Sequence, residues 1–268
     1  MDDFNRKYYK TCASIVFPYG FRRYKRVFGR VVNDVYQSFD IEKLGRQSAG
    51  KIVRVGFGVV PLCEKLQENW LESGVGLYYL KQFELIPFYG PDYTSDYDIT
   101  NWYYQPEPES IDVCVAEIMR YLTTYLLPLF ERADSCATAL QALIEVERLF
   151  ERNRLAKVWM EGDTPKVHPN GGVNIFDSSK YYMALKSGDY AYALKSCRAL
   201  EMNNKRAYQS GCENGWLSDE NRISRAKEIA QWEEDRIHLQ MGDTKYFQAI
   251  LAENEAYSRD ILKSFWKQ

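Results

Sequence analysis

Histidine is scarce in this sequence, with only His168 and His238 among 268 residues. The two are far apart, and neither belongs to the H-x-x-x-H spacing that binds zinc. A Ser-His-Asp triad needs a histidine beside a nucleophile, and no serine or cysteine stands in a recognisable nucleophile elbow. This shortage argues against zinc enzymes and serine hydrolases, and we expect His238, on a predicted helix, to be structural.

Paired cysteines and long apolar runs are also missing. The six cysteines are scattered without a C-x-x-C pair. This pattern is typical of free thiols in a reducing compartment, although an even number leaves three disulfides formally open. No apolar run approaches the roughly 20 residues of a membrane span, and the N-terminus lacks the pattern of a secretory signal. We therefore expect a cytoplasmic protein that does not insert into membranes.

Glycine-rich phosphate loops are absent too. Gly56-Phe57-Gly58 is followed by Val-Val-Pro and not by the start of a helix, as a phosphate loop requires. Acidic pairs such as Asp96/Asp98 are plentiful, but abundance alone does not indicate acid–base catalysis. We expect no cofactor, no metal and no catalytic residue, and a binding protein rather than an enzyme.

The clearest structural signal lies between Phe28 and Cys63, where residues alternate with strand periodicity. Two such runs predict strands of a half-buried antiparallel sheet. Asn33-Asp34 predicts a tight hairpin between them and Val31-Val32, because both residues tolerate left-handed backbone angles. Gly56 and Gly58 predict close approach of another segment. The residues that share one face are Val35, Gln37, Phe39 and Ile41 in the first run, and Val53, Val55, Phe57 and Val59 in the second.

Positive charge is concentrated next to this sheet. The segment either binds the phosphates of a nucleic acid or, as lysines and arginines on an edge strand do, blocks edge-to-edge pairing. Residues 1–60 hold 12 basic and 5 acidic residues, whereas residues 61–135 hold 4 and 13. We favour internal pairing between these two regions over two separate charged surfaces. The basic patch comprises Arg22, Arg23, Lys25, Arg26 and Arg30.

Residues 86–109 form a predicted loop that is rich in proline, aspartate and aromatic residues. Long loops inside compact domains are often functional, and amphipathic rings are enriched at interface hot spots. The competing interpretation makes residues 102–104 a strand whose rings complete the core. The predicted partner-binding surface consists of Asp92, Tyr93, Asp96, Tyr97, Asp98, Trp102, Tyr103 and Tyr104.

Helical periodicity dominates from residue 110 onwards, with Ser110 and Ser135 as predicted caps. The interruption at residues 162–177 contains two prolines and two adjacent glycines, so we place a linker there. The predicted organisation is an α+β domain over residues 1–155, a linker over 156–177, and an all-α domain of helical hairpins over 178–268.

The last domain contains an internal similarity. LKSGDYAY (185–192) and LQMGDTKY (239–246) share the frame L-x-x-G-D-x-x-Y, 54 residues apart. Gly188 and Gly242 are predicted left-handed helix stops, and Asp189 and Asp243 are predicted caps of the next helices. The frame predicts two helical hairpins that loosely resemble the tetratricopeptide class of helical repeat.

The N-terminal half also resembles a family. Residues 4–146 are similar to the bacterial domain-of-unknown-function family numbered 4304. The resemblance rests on Gly20-Phe21-Arg22-Arg23, Val35-Tyr36-Gln37-Ser38-Phe39, Phe57-Gly58-Val59-Val60-Pro61-Leu62-Cys63 and Leu126-Leu127-Pro128-Leu129-Phe130. It implies a bacterial α+β fold, with helices against an antiparallel sheet, and it brings no known activity.

These patterns predict a cytoplasmic module that binds another protein or a peptide, since helical hairpins present concave binding surfaces. One version is an immunity-type protein that neutralises a basic toxin. The first alternative is a metal-dependent hydrolase or nuclease whose carboxylates converge between the domains. The second alternative is nucleic-acid binding through the basic patch.

Overall fold

The structure is a computed structural model that describes residues 2–47, 50–84, 88–89, 100–155, 157–161, 164–168 and 177–266. The chain forms two compact units. Unit 1 comprises Met1–Val59 and Gln67–Val173, and unit 2 comprises Val60–Leu66 and Asn174–Gln268. The predicted fold class, α+β followed by all-α, is confirmed. The predicted domains are continuous ranges, with residues 60–66 inside the first domain. In the structure these residues belong to unit 2.

Unit 1 is built on a six-stranded sheet in the order β1-β2-β3-β4-β5, with β7 also pairing with β4. A second sheet has the order β6-β8-β9, so two of its strands lie in the range predicted as a linker. The strands are β1 (Arg22–Tyr24), β2 (Val27–Val32), β3 (Val35–Gln47), β4 (Gly50–Pro61), β5 (Tyr78–Tyr79), β6 (Phe88–Tyr89), β7 (Asn101–Tyr104), β8 (Lys157–Glu161) and β9 (Thr164–His168). The helices are α1 (Asp3–Val16), α2 (Glu68–Ser73), α3 (Pro108–Tyr121), α4 (Leu127–Arg132) and α5 (Cys136–Leu155).

The hairpin between β2 and β3 turns at the predicted position. Val32 pairs with Val35, and Asn33 has a positive φ of 50°. Short polar residues such as asparagine tolerate this backbone region, which is why the dipeptide serves as a tight turn. The local turn chemistry was therefore sufficient to place this connection.

The expectation of a half-buried sheet is wrong for β3. Its second face is buried as well, with Tyr36, Ser38 and Asp40 exposing at most 5% of their surface. Residues 74–77 cross this side of the sheet, because an ideal Cβ on Gly58 of β4 would lie 2.6 Å from Val75 Cγ1. The predicted close approach at this glycine is confirmed. Gly74 of the same segment lies directly against the Asp40 carboxylate, which explains the burial of Asp40.

The core of unit 1 is aromatic. The ring centroid of Phe57 on β4 lies 5.5 Å from Tyr78, 5.7 Å from Phe83, 6.3 Å from Phe130 and 6.4 Å from Phe150. Tilted and edge-on pairs at these separations add to the free energy of area burial. The alternating strand residues are thus positioned to meet the helices on one face of the sheet.

One continuous helical stretch, Pro108–Arg132, is long and apolar enough by composition to cross a membrane. It comprises α3, a π-helical turn at Leu122–Leu126, and α4. Its apolar window is 56% buried inside the protein, which is compatible with a core helix of a soluble protein. The stretch begins at Pro108 and not at the predicted cap Ser110, because proline suits the first turn, where its missing N–H has no helical partner.

Unit 2 is helical. Its helices are α6 (Ser178–Ser187), α7 (Tyr190–Glu213), α8 (Asp219–Met241) and α9 (Thr244–Phe265), together with a 3-10 turn at Leu62–Glu64. The inner side of α8 packs its Trp232 ring edge-on against Tyr181 of α6, with ring centroids 5.1 Å apart. The Tyr181 hydroxyl donates to the buried Asp235 carboxylate at 2.7 Å. Apolar packing and a buried hydrogen bond thus connect α6 with α8.

The two L-x-x-G-D-x-x-Y segments have the same local geometry, as predicted. Gly188 (φ 80°) and Gly242 (φ 70°) end α6 and α8 in the left-handed conformation. The next residue, Asp189 or Asp243, donates its backbone N–H to the carbonyl five residues earlier, at 2.9 and 3.0 Å. Its carboxylate then accepts from the backbone N–H of Tyr192 or Tyr246. Each frame is therefore a Schellman stop joined to an N-cap.

We expect Gly188→Ala and Gly242→Ala each to lower the free energy of unfolding by about 1 kcal/mol, because a Cβ is disfavoured at a positive φ. Open space surrounds both positions, so strain and not collision would cause the loss. Urea unfolding measures it. Gly188→Asn and Gly242→Asn are matched controls that should cost less, since asparagine tolerates this region. Equal losses for alanine and asparagine would contradict the explanation.

Candidate functional site

The predicted aromatic surface is only partly covered by the structure. Residues 92–98, which supply Asp92, Tyr93, Asp96, Tyr97 and Asp98, lie outside the described residues. Trp102 and Tyr104 lie on β7 beside β4 and are only 2% and 3% exposed. Trp102 packs edge-on against Tyr121 at 5.4 Å, and Tyr104 stacks on Phe4 at 4.3 Å. These two rings belong to the core of unit 1, which corrects their assignment to a binding surface, and Tyr103 is half-buried.

The basic patch is engaged by neighbours within unit 1. The guanidinium of Arg23 lies 3.7 Å above the Tyr9 ring, and Lys25 forms an ion pair of 2.9 Å with Glu72. Arg26 donates to the Ser73 carbonyl at 3.1 Å. Arg30 donates to Tyr19 and Gln37 at 2.6 and 2.7 Å, whereas Arg22 is exposed. These contacts use hydrogen-bond donors that phosphate groups would need. The Lys25–Glu72 ion pair is one instance of the expected pairing between the basic region 1–60 and the acidic region 61–135.

His238 and the acidic side chains are the residues on which metal or acid–base chemistry would depend. The described residues contain no group of three His, Cys, Asp or Glu side chains that could hold a metal ion. His238 stacks flat on Tyr246 at 3.8 Å, and its Nδ1 lies 3.0 Å from the Asp243 carboxylate. Both contacts hold the turn between α8 and α9, as expected for a structural histidine.

A cluster of polar side chains in unit 2 surrounds Glu64. Ser178 and Ser179 at the start of α6 both donate their hydroxyls to its carboxylate. Burial raises the pKa of Glu64 to about 7, against the lowering effect of these two hydrogen bonds. Ser258 Oγ of α9 accepts from the Leu66 backbone N–H at 2.9 Å, and Asn254 donates to the Cys63 carbonyl at 3.0 Å. The cluster fixes residues 60–66 among the helices, which is a structural role.

A groove of about 640 Å³ lies in unit 2, and this volume is within the range of ligand sites. We call it the α6–α9 groove. Its apolar part is formed by the end of α6 and the first half of α9. Leu185, Phe247 and Leu251 are nearly buried there, whereas Ala252 and Ala256 are exposed. The two alanines lie one turn apart on α9, so their small side chains leave room above the apolar residues.

Three charged side chains line one side of the α6–α9 groove. Lys186 donates to the Glu255 carboxylate at 2.7 Å, and Arg259 donates to it at 2.7 and 3.0 Å. Burial alone would raise the pKa of Glu255, but the hydrogen bonds from Lys186 and Arg259 outweigh it and lower the pKa. Two cations thus converge on one anion, and this rim carries a net positive charge of one.

The sequence contained only a partial signal for this groove. The L-x-x-G-D-x-x-Y frame placed the end of α6, and the helical periodicity placed α9. Nothing in either pattern indicates that residues 185–190 face residues 247–259, since these segments are about 60 residues apart. The exposed alanines at positions 252 and 256 resemble ordinary helix-forming residues until the neighbouring helix is known.

Comparisons with known proteins bring no relative. No family model matches the chain, no curated protein matches its sequence, and no solved structure matches its fold. The resemblances to family 4304 and to tetratricopeptide hairpins therefore stay predictions.

Trp102→Ala should lower the free energy of unfolding by about 3–5 kcal/mol, because it removes a buried ring and leaves a cavity beside Tyr121. Urea unfolding provides the measurement. Tyr103→Ala, at the half-buried neighbouring position, is the matched control and should cost clearly less. A Trp102→Ala protein as stable as the wild type would contradict the core assignment.

Glu64 should make unit 2 less stable as the pH rises from about 5 to about 8. Its pKa is about 7 in the folded protein, above the ordinary value of 4.5, so the folded state holds a proton that the unfolded state releases between these values. Glu64→Gln removes this titration. The stability of the variant relative to wild type should therefore increase with pH in urea unfolding.

An Asp40 variant of unit 1 is the matched control in the same experiment, because burial also raises the pKa of Asp40 to about 7. Asp40→Asn should leave the Glu64 contribution intact. If the difference between Glu64→Gln and wild type is the same at both pH values, Glu64 is not the titrating group.

Proposed function

We propose that this chain is a protein-binding module that takes a peptide segment of a partner in the α6–α9 groove. The proposal is carried by the open space above the two exposed alanines, Ala252 and Ala256. This space has an apolar floor and lies beside the charged rim. Binding sites of this kind combine apolar contact area with a few placed polar groups. Helix-lined grooves are used in the same way in repeat proteins.

The chemistry of the groove defines the partner segment. An apolar side chain of the partner would lie against the exposed Ala252 and Ala256, above the floor, and remove this remaining apolar surface from water. The net positive rim favours an acidic residue next to that side chain, near Lys186 and Arg259. The partner is therefore a segment with an apolar anchor flanked by carboxylates.

As part of the same proposal, the protein acts in a reducing cytoplasm. All six cysteines are free thiols, five of them buried. Free buried thiols are typical of proteins from reducing compartments. An immunity-type role fits a binding module, and the acidic segment at residues 92–98 is the part of the sequence that supports a basic partner.

Selection from a random peptide library displayed on phage tests the proposal. Peptides enriched on the wild-type protein should carry an apolar residue beside Asp or Glu, and calorimetry on synthetic versions should show affinity that falls with added salt. Ala256→Phe fills the groove from an exposed position and should abolish binding while leaving the melting temperature nearly unchanged.

The matched control is Ala207→Phe, the same change at an exposed helical position on α7 that does not line the groove. Peptides should bind this variant as they bind the wild type. The proposal fails if no peptide is enriched, or if enriched peptides bind Ala256→Phe with unchanged affinity.

A further inference from the structure

Helix α8 carries apolar residues on two opposite faces. The inner face holds Trp232, buried against α6, and Asp235, buried with it. The outer face should be polar in an ordinary surface helix. It instead exposes Ile223 by 59%, Ile237 by 48% and Met241 by 74%.

These exposed residues form one continuous stripe. Between them lie the exposed Ala226 and Ala230, so the spacing along the helix is three, four, seven and four residues. At 3.6 residues per turn they occupy an arc of about 100° or less and extend over about 27 Å. We call the set Ile223, Ala226, Ala230, Ile237 and Met241, with the exposed charged residues Lys227 and Glu234 on the same arc, the α8 outer stripe.

The α8 outer stripe is complementary to itself. If a second copy of α8 runs antiparallel about a two-fold axis at Ala230, each Ile223 meets Ile237 of the other copy. The small alanine at the axis permits close approach of the two helices. Glu234 of the other copy then lies opposite Ala226, one residue from Lys227 and on the same flank of the contact. Symmetry produces this Lys227–Glu234 pair twice.

The charges of Lys227 and Glu234 favour a second copy of this chain over a different binding partner. Within the described structure, neither Lys227 nor Glu234 forms a hydrogen bond or an ion pair. The two lie two turns apart on one helix, about 10 Å along the axis, which is too far for them to pair with each other. An antiparallel copy supplies each of them with an opposite charge, and the isoleucines with an apolar partner.

We infer that the α8 outer stripe is a homodimer interface between two copies of this chain. A contact between single helices falls below the roughly 1,200 Å² of stable interfaces, so the dimer is reversible and depends on concentration. The interface lies on a different helix from the α6–α9 groove, and the two proposals can succeed or fail separately.

Sedimentation velocity and light scattering on the full chain, from about 1 μM to about 1 mM, should show a monomer–dimer equilibrium. Ala230→Glu places two carboxylates at the axis and should weaken dimerisation at least about tenfold. Ala207→Glu makes the same change at an exposed position of α7 and should leave the equilibrium unchanged.

Charge reversal provides the sharper test. Lys227→Glu alone, and Glu234→Lys alone, should each weaken the dimer about tenfold, because two attractive pairs become repulsive. The double variant restores both pairs by symmetry and should return to nearly wild-type affinity. A chain that stays monomeric at the highest concentration overturns the inference. So does a dimer that is indifferent to Ala230→Glu, or a double variant no better than the single ones.

Discussion

Burial of strand β4 is the constraint on which both parts of this protein depend. Of its residues only Lys51 and Arg54 are even partly exposed, and the strand pairs with β3, β5 and β7. Its last residues, Val60 and Pro61, already belong to unit 2. One uninterrupted segment thus supplies the centre of the sheet and a piece of the helical unit. A change in its register would move apolar side chains to the wrong face in the sheet.

Several carboxylates of the two units have shifted pKa values and make structural hydrogen bonds. Asp40, Glu64 and Glu84 are carboxylates with shifted pKa values, a property that often marks active sites. Glu84 accepts hydrogen bonds from Arg120, Tyr121 and Tyr125, which lower its pKa to about 2 despite some desolvation. The shifts of Asp40 and Glu64 reflect burial, and that of Glu84 reflects its hydrogen bonds.

Two surfaces of unit 2 carry the proposals for function and assembly. The α6–α9 groove and the α8 outer stripe share one physical feature, which is exposed alanine beside larger apolar residues. Small side chains allow another backbone or ring to come close, and the larger neighbours then lose contact with water. The Schellman stops at Gly188 and Gly242 fix where α6 and α8 end, and so fix where both surfaces end.

Local chemistry in the sequence was enough for much of the fold. The Asn33-Asp34 turn, the alternation of β3 and β4, and the two glycine stops with their aspartate caps each depend on residues within a few positions of one another. The helical periodicity from residue 110 likewise indicated the helix that the structure shows as α3. The fold class, α+β followed by all-α, follows from the order of these elements.

The sequence by itself determined the Asn33-Asp34 turn and the aspartate caps after Gly188 and Gly242, because these follow from backbone angles and short-range hydrogen bonds. Only the tertiary structure decided that Trp102 is core, that residues 74–77 cover Asp40, and that residues 60–66 pack with the helices of unit 2. It alone showed which alanines face a groove and which apolar residues of α8 stay exposed. The physical reason is that burial depends on which distant segment covers a residue, and contact between segments some 35 to 190 residues apart leaves no local pattern.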